Sequence, residues 1–344
     1  MADVRHRNSG RSGAGDRGGW GRGGAADRSG DRGQLILVTG LAVAVTLVAL
    51  VLLLNTVIYT QNLATRGAEI EDDAAVSFRQ EAVAGVGEVV DAENRAEYAT
   101  RTKVEENVTA GVARYDRLAS SYHAGHGTIA QVDTETLALT EGRLLRQTDS
   151  SRNFTSASAA SSWTLVEDAG AGGTPGVRRF TLTVNRDDLS DTKTGAFAVR
   201  VEEGGDQWHA RIYDDGGAIT VAVKNASEGT ADPVCSVTAA SATVDLTSGT
   251  VGGTRCPALD WAKGVAAPYD VRFDNADDAT GTYEVTVDTS AAGTDVQTAN
   301  VEGPGASSSP RWAPAVYAAA FEIHFETPNV AFHTTVRAAP GEPR

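Results

Sequence analysis

From Leu35 to Ile58 the chain carries no charge, and its apolar run is broken only by Thr39, Gly40, Thr46, Asn55 and Thr56. Coiled at about 1.5 Å per residue, such a stretch matches the roughly 30 Å hydrocarbon core of a bilayer. A helix also satisfies its own backbone hydrogen bonds in lipid. The run predicts one transmembrane helix over residues 34–60, and the rest of the chain divides around it.

Charge sets the orientation. Arg5, Arg7, Arg11, Arg17, Arg22, Arg28 and Arg32 precede the run, whereas Arg66 alone follows closely before Glu69, Glu71, Asp72 and Asp73. Positive residues stay on the cytoplasmic side, so the amino terminus is expected inside and the carboxy-terminal part outside. A cleavable secretory signal has a shorter apolar core, about 7–15 residues, and a small-residue cleavage site. Tyr59–Ala64 offers no such site, so the span reads as an anchor in the cell membrane. Residues 1–33 hold little besides Arg, Gly, Ser, Asp and Ala, with Val4 and Trp20 their only sizeable apolar groups. That composition cannot offset ordering entropy, and the segment reads as a disordered cytoplasmic leader.

Beyond the leader the chain is strongly acidic. Net charge is −15, only four of 30 basic residues are Lys, and aromatics make up 6%. An acidic, Lys-poor exterior stays hydrated where salt screens charge, as in proteins of extreme halophiles. It also excludes nucleic acid as a partner, because phosphates demand a basic patch.

Two periodicities organise the remainder. Residues 61–125 lack Pro, and Val104, Val108, Val112, Tyr115, Ala119 and Tyr122 fall at steps of three and four, an amphipathic helix. Gly85 and Gly87 weaken an earlier apolar stripe, and a helix break is expected there. Residues 126–161 read as linker or mixed segment, with Leu137–Leu145 open between strand and short helix. From residue 162 to 344 the period becomes two: Phe180, Leu182, Val184; Phe197, Val199, Val201; Trp208, Ala210, Ile212. Asp214-Asp215-Gly216-Gly217 then supplies a turn. One apolar and one polar face per strand implies an antiparallel sheet or sandwich. The expected fold is thus α+β: a transmembrane helix continuing into an amphipathic stalk, then an extracellular antiparallel β head.

Candidate chemistry is sparse. Cys235 and Cys256 would close a loop of roughly 20 residues as an extracellular disulfide, worth about 3 kcal/mol on the chain-entropy model. Asn107, Asn153 and Asn225 begin sequons and are candidate glycosylation sites. His123 and His126 stand three apart, but their glycine-rich surroundings read as a solvated turn rather than a metal pair. Asp274-Asn275-Ala276-Asp277-Asp278 lacks calcium-loop spacing and reads as a strand-joining turn. Glu322, His324 and Glu326 share the polar face of one strand and read as solvated surface. No nucleophile elbow, zinc-protease motif or phosphate-cradling loop occurs, so neither catalysis nor a cofactor or metal is expected.

One resemblance gathers these features. Arg32-Gly33-Gln34 directly before the apolar helix resembles the class III signal of archaeal prepilins, where a membrane prepilin peptidase cuts after a small residue. The resemblance implies cleavage between Gly33 and Gln34. More narrowly, Asp31 to Arg66 resembles uncharacterised pilin-like membrane proteins of halophilic archaea. The leader is longer than in such signals, and Val38 stands where many bacterial pilins carry Glu. The implied role is a pilin-like or pseudopilin-like structural component of a surface appendage or secretion assembly. Its apolar helix would self-associate or meet pilin-like partners through small residues at Gly40, Ala42, Ala44 and Ala49. Two other readings stand: an uncleaved single-span protein displaying a β-sandwich binding module, and an anchored enzyme of unknown class.

Overall fold

A computed structural model of the chain describes residues 29–225, 234–307 and 309–343; inside the first helix the side chains at 29–39, 42 and 54–72 lie outside that description. The chain forms two compact units, Met1–Arg66 and Gly67–Arg344. Helix α1 (Ser29–Arg95) begins in the first and ends in the second. Its described apolar side chains between Leu41 and Leu53 are 57–68% exposed. Among the described residues no helix is long and apolar enough to cross a membrane. The side chains of Gln34, of 35–39, 42 and 54–58 in the apolar run, and the surroundings of Gly33 lie outside that description.

The second unit is α+β. Helix α2 (Arg101–Ala124) follows α1 after a short turn. The strands then run β1 (Ile129–Gln147), β2 (Trp163–Ala169), β3 (Val177–Asn185), β4 (Ala198–Glu203) and β5 (Asp206–Asp214). Next come β6 (Ile219–Lys224), β7 (Val234–Val237), β8 (Ser241–Asp245), β9 (Thr250–Val251) and β10 (Thr254–Arg255). The last five are β11 (Tyr269–Asp274), β12 (Gly281–Asp288), β13 (Asp295–Val296), β14 (Arg311–Glu326) and β15 (Ala331–Ala338). One sheet has the order β10-β9-β8-β3-β12-β1-β14-β15 and the other β13-β2-β11-β4-β5-β6-β7. Neighbouring strands pair antiparallel, as the period-two alternation predicts.

The first sheet is covered on both faces. Tyr283, Val285 and Val287 of β12 point into a core shared with the second sheet. The alternate residue Glu284 points the other way, to Arg95 of α1. Strand geometry makes these opposite faces, so helices, first sheet and second sheet form three layers. Aromatic rings fill the inter-sheet core: Phe273 packs edge-on against Trp163, Phe197 and Tyr283, each at 5.3 Å.

The helix layer is built from smaller residues. Val104, Val108 and Val112 are fully buried against Ala82, Val86 and Val90 of α1 and against Phe321, Ile323 and Phe325 of β14. Thr100 caps α2 by accepting a hydrogen bond from Lys103 N. Farther along α2, Asp116 accepts from Val132 N and Ser120 donates to the Ala130 carbonyl, so the helix serves the first part of β1, which β12 does not reach.

Two expectations need correction. No break occurs at Gly85 or Gly87; α1 continues to Arg95. A Cβ at Gly85 would lie 2.2 Å from the Tyr115 ring, and one at Gly111 would lie 2.6 Å from Val89. These glycines let the two helices approach closely. Residues 126–161, expected as linker or mixed segment, contain β1, a central strand, so the first sheet begins before residue 162. The expected disulfide is present, joining Cys235 to Cys256 with 5.9 Å between Cα atoms. It ties β7, an edge of the second sheet, to the chain just beyond β10, an edge of the first.

Candidate functional site

The most constrained polar region is where the end of α1 meets the first sheet. A regular strand sends successive side chains to opposite faces. Here β3 is irregular opposite Glu284–Thr286, and Arg179 adopts φ 52°. Consecutive arginines therefore reach one carboxylate: Arg178 Nη1 donates to Asp91 Oδ1 at 2.8 Å and Arg179 Nη1 to Oδ2 at 2.5 Å. The Arg178 side chain is 0% and that of Asp91 2% exposed. Arg178 also donates to the carbonyls of Pro340 and Val316.

One turn on, Asn94 bonds both backbone groups of Val316, donating at 2.9 Å and accepting at 2.8 Å. Val316 lies where the β1–β14 register shifts, so the amide replaces strand partners lost there. Glu284 collects Arg179 and Arg95. Glu97, just past the helix end, accepts from Arg146 and from both Nε and Nη2 of Arg311. Burial opposes the Glu97 charge, but the two arginines prevail and hold its carboxyl below the usual range. Asp91, Asn94 and Glu97 thus clamp the end of α1 onto three strands of one sheet, β3, β14 and β1.

A second cluster sits on the polar face of β1, β14 and β15, behind the side chains that meet the helices. Asp133 lies directly opposite Glu322, and His324 opposite both Gln131 and His333. One ligand atom from each of Asp133, Glu322 and His324 falls within 4.8 Å of the others. The His324 and His333 rings stack with centroids 6.0 Å apart. Glu326, on the same face, is outside this group. Asp133 completes the set from a distant part of the chain, which is why the β14 pattern alone read as solvated surface.

The remaining predicted residues are dispersed. His123 packs edge-on against Phe78 and lies 3.7 Å from Glu81, while His126 stacks on Tyr122 and bonds its carbonyl through Nδ1. Asp274 pairs with Arg200, and Asn275 takes a left-handed turn at φ 51°. Asn107 and Asn153 are half-buried and bond the carbonyls of Lys103 and Asp277. Asn225 is 3% exposed. A further site escaped the sequence: Lys224, His209, Arg200 and Arg272 stand side by side across four strands of the second sheet. Burial, with Arg211 and Arg200 nearby, pushes the His209 pKa down to about 4, so its imidazole is neutral at pH 7.

Among known families, residues 29–200 match the model of a family of unknown function, DUF7261, which covers half of the chain. The chain belongs to this family. The matched residues take in α1, α2 and β1 to β3, and so include Asp91, Asn94, Arg178 and Arg179. Glu322 and His324 lie beyond them. No curated protein and no solved structure matches the chain.

Proposed function

We propose that the protein is a membrane-anchored, pilin-like or pseudopilin-like structural component of a cell-surface appendage or secretion assembly, with its β head outside the cell. The observation that carries this reading is the contrast within α1. The described large apolar side chains between Leu41 and Leu53 are 57–68% exposed, whereas from Ala75 onward one face of the same helix is buried against the first sheet. A helix that is apolar on all sides requires lipid or other helices around it. The clamp at Asp91, Asn94 and Glu97 supports the reading further, because it would fix the last turns of α1 to the sheet of the head. Gly33–Gln34 is the proposed processing point and Gln34 the mature amino terminus.

Mass measurement and amino-terminal sequencing of the chain from native membranes test the proposal. A membrane-bound product starting at Gln34, with processing blocked by Gly33→Leu, is expected. A membrane-bound chain that retains its leader would leave an uncleaved single-span display protein instead. Recovery of the whole chain in the soluble fraction would overturn both.

A further inference from the structure

The Asp133–Glu322–His324 group sits in a setting unlike that of any other carboxylate cluster described on this sheet. Like charges directly opposite one another on neighbouring strands are destabilising. Around the sheet's other face a guanidinium relieves Asp91, Glu97, Glu141, Glu284 and Glu342, each paired with an arginine. Asp133 and Glu322 face each other with no ion pair to Arg or Lys among the described residues. What faces them is imidazole: His324 within the group, and His333 stacked against it on the next strand. A depression of about 340 Å³ opens at the same place, lined by Asp116, Gln131, Asp133, Glu135 and His324.

We propose that Asp133, Glu322 and His324 bind a divalent transition-metal ion of the zinc class. Two ligands about 2.1 Å from a common ion lie at most about 4.2 Å apart, so a 4.8 Å spread closes with small rotamer adjustments. Mixed carboxylate and imidazole donors favour zinc or manganese over calcium, which takes oxygen ligands. The donors stand on paired strands, and Asp133 is held at a register shift where Thr136 Oγ1 donates to its carbonyl and accepts from Glu322 N. The depression leaves room for water to complete the coordination.

The test uses the full chain in detergent, stripped with a chelator and titrated with zinc by equilibrium dialysis. One zinc per chain at micromolar free metal is expected, weakened tenfold or more by Asp133→Asn and by His324→Ala. Glu326→Gln and His126→Ala should bind as the parent does. Zinc should also raise the parent's Tm and leave that of the two site variants unmoved. Absence of saturable binding, or binding that survives both site substitutions, overturns the proposal. Calcium binding as tightly at the same residues overturns the assigned metal class.

Discussion

The two buried layers of the second unit are held by different means. Between the sheets, Phe154, Phe197, Phe273, Trp163, Trp208 and Tyr283 interlock. Aromatic pairs of this kind add about 0.5–1.5 kcal/mol each beyond their area, and their shapes fix how the sheets sit. Between helices and sheet the buried residues are mainly Val and Ala, with Phe78, Phe321 and Phe325 near one end. Small side chains permit close approach but present a smooth surface along which a helix can slide. In that layer position is set by charge: Asp91 under two arginines, Asn94 on a strand backbone, Glu97 between two more arginines. The inter-sheet layer is specified by shape and the helix layer by polar pairing.

That contrast is most exposed to Asp91→Asn. Removing one partner of a buried pair leaves the other charge uncompensated, at about 3–5 kcal/mol. A loss of that size in chemical denaturation is expected, with amide exchange rising in α1 residues 75–95 more than in β4–β6. Uniform loss across both layers would mean the pairing is not what separates them. The complementary perturbation, Cys235→Ser with Cys256→Ser, cuts the tie between the edges of the two sheets. It should cost about 3 kcal/mol on the chain-entropy model, with exchange rising first in β7 and β9 and not in α1. Gly85→Ala probes the close approach itself. An interior Gly to Ala change usually stabilises a helix by about 1 kcal/mol. Here the added methyl meets the Tyr115 ring, so a net loss of about 1–3 kcal/mol is expected. Tyr115→Ala in the same chain should return the gain.

The layer built on shape was the more legible one. Alternation at Phe180–Val184, Phe197–Val201 and Trp208–Ile212 announced strands because each side chain reports its own face. The valine steps in α2 announced its buried stripe in the same way, and two cysteines in one β region announced their bond. The polar layer stayed hidden because it depends on irregularities. Arg178 and Arg179 share Asp91 only through an irregular strand, and no local pattern signals it. Shifts after Asp133 and Thr140 interrupt the alternation of β1, which is why Leu137–Leu145 resembled strand and helix equally. The glycines at 85 and 87 were weighed by helix propensity, although at Gly85 the cost of a side chain across the interface dominates. The Asp133 cluster was illegible for a plainer reason, since its members meet only after β1 and β14 pair.

Glu97 sharpens the comparison at the smallest scale, because shape and charge oppose each other within one residue. Its φ of 52° lies in the left-handed region, which costs a residue other than Gly about 1–2 kcal/mol. Its carboxylate, held by Arg146 and Arg311, offsets that strain and ends α1 where glycine would ordinarily stand. Glu97→Gln keeps the strain and loses the charge, so a loss of about 1 kcal/mol at pH 7 is expected. Glu97→Gly loses the charge but relieves the strain and should fall within about 0.5 kcal/mol of the parent. The pH dependence separates the two contributions. Because the folded pKa is depressed, the carboxylate's contribution is fully present above the unfolded value of about 4.3 and is lost as pH falls through the folded value. The stability gap between parent and Glu97→Gln should therefore close in acid, measured by denaturant midpoints from pH 7 downward. A gap that persists below the folded pKa would assign Glu97 to packing rather than charge, and would place the end of α1 with the shape-held layer.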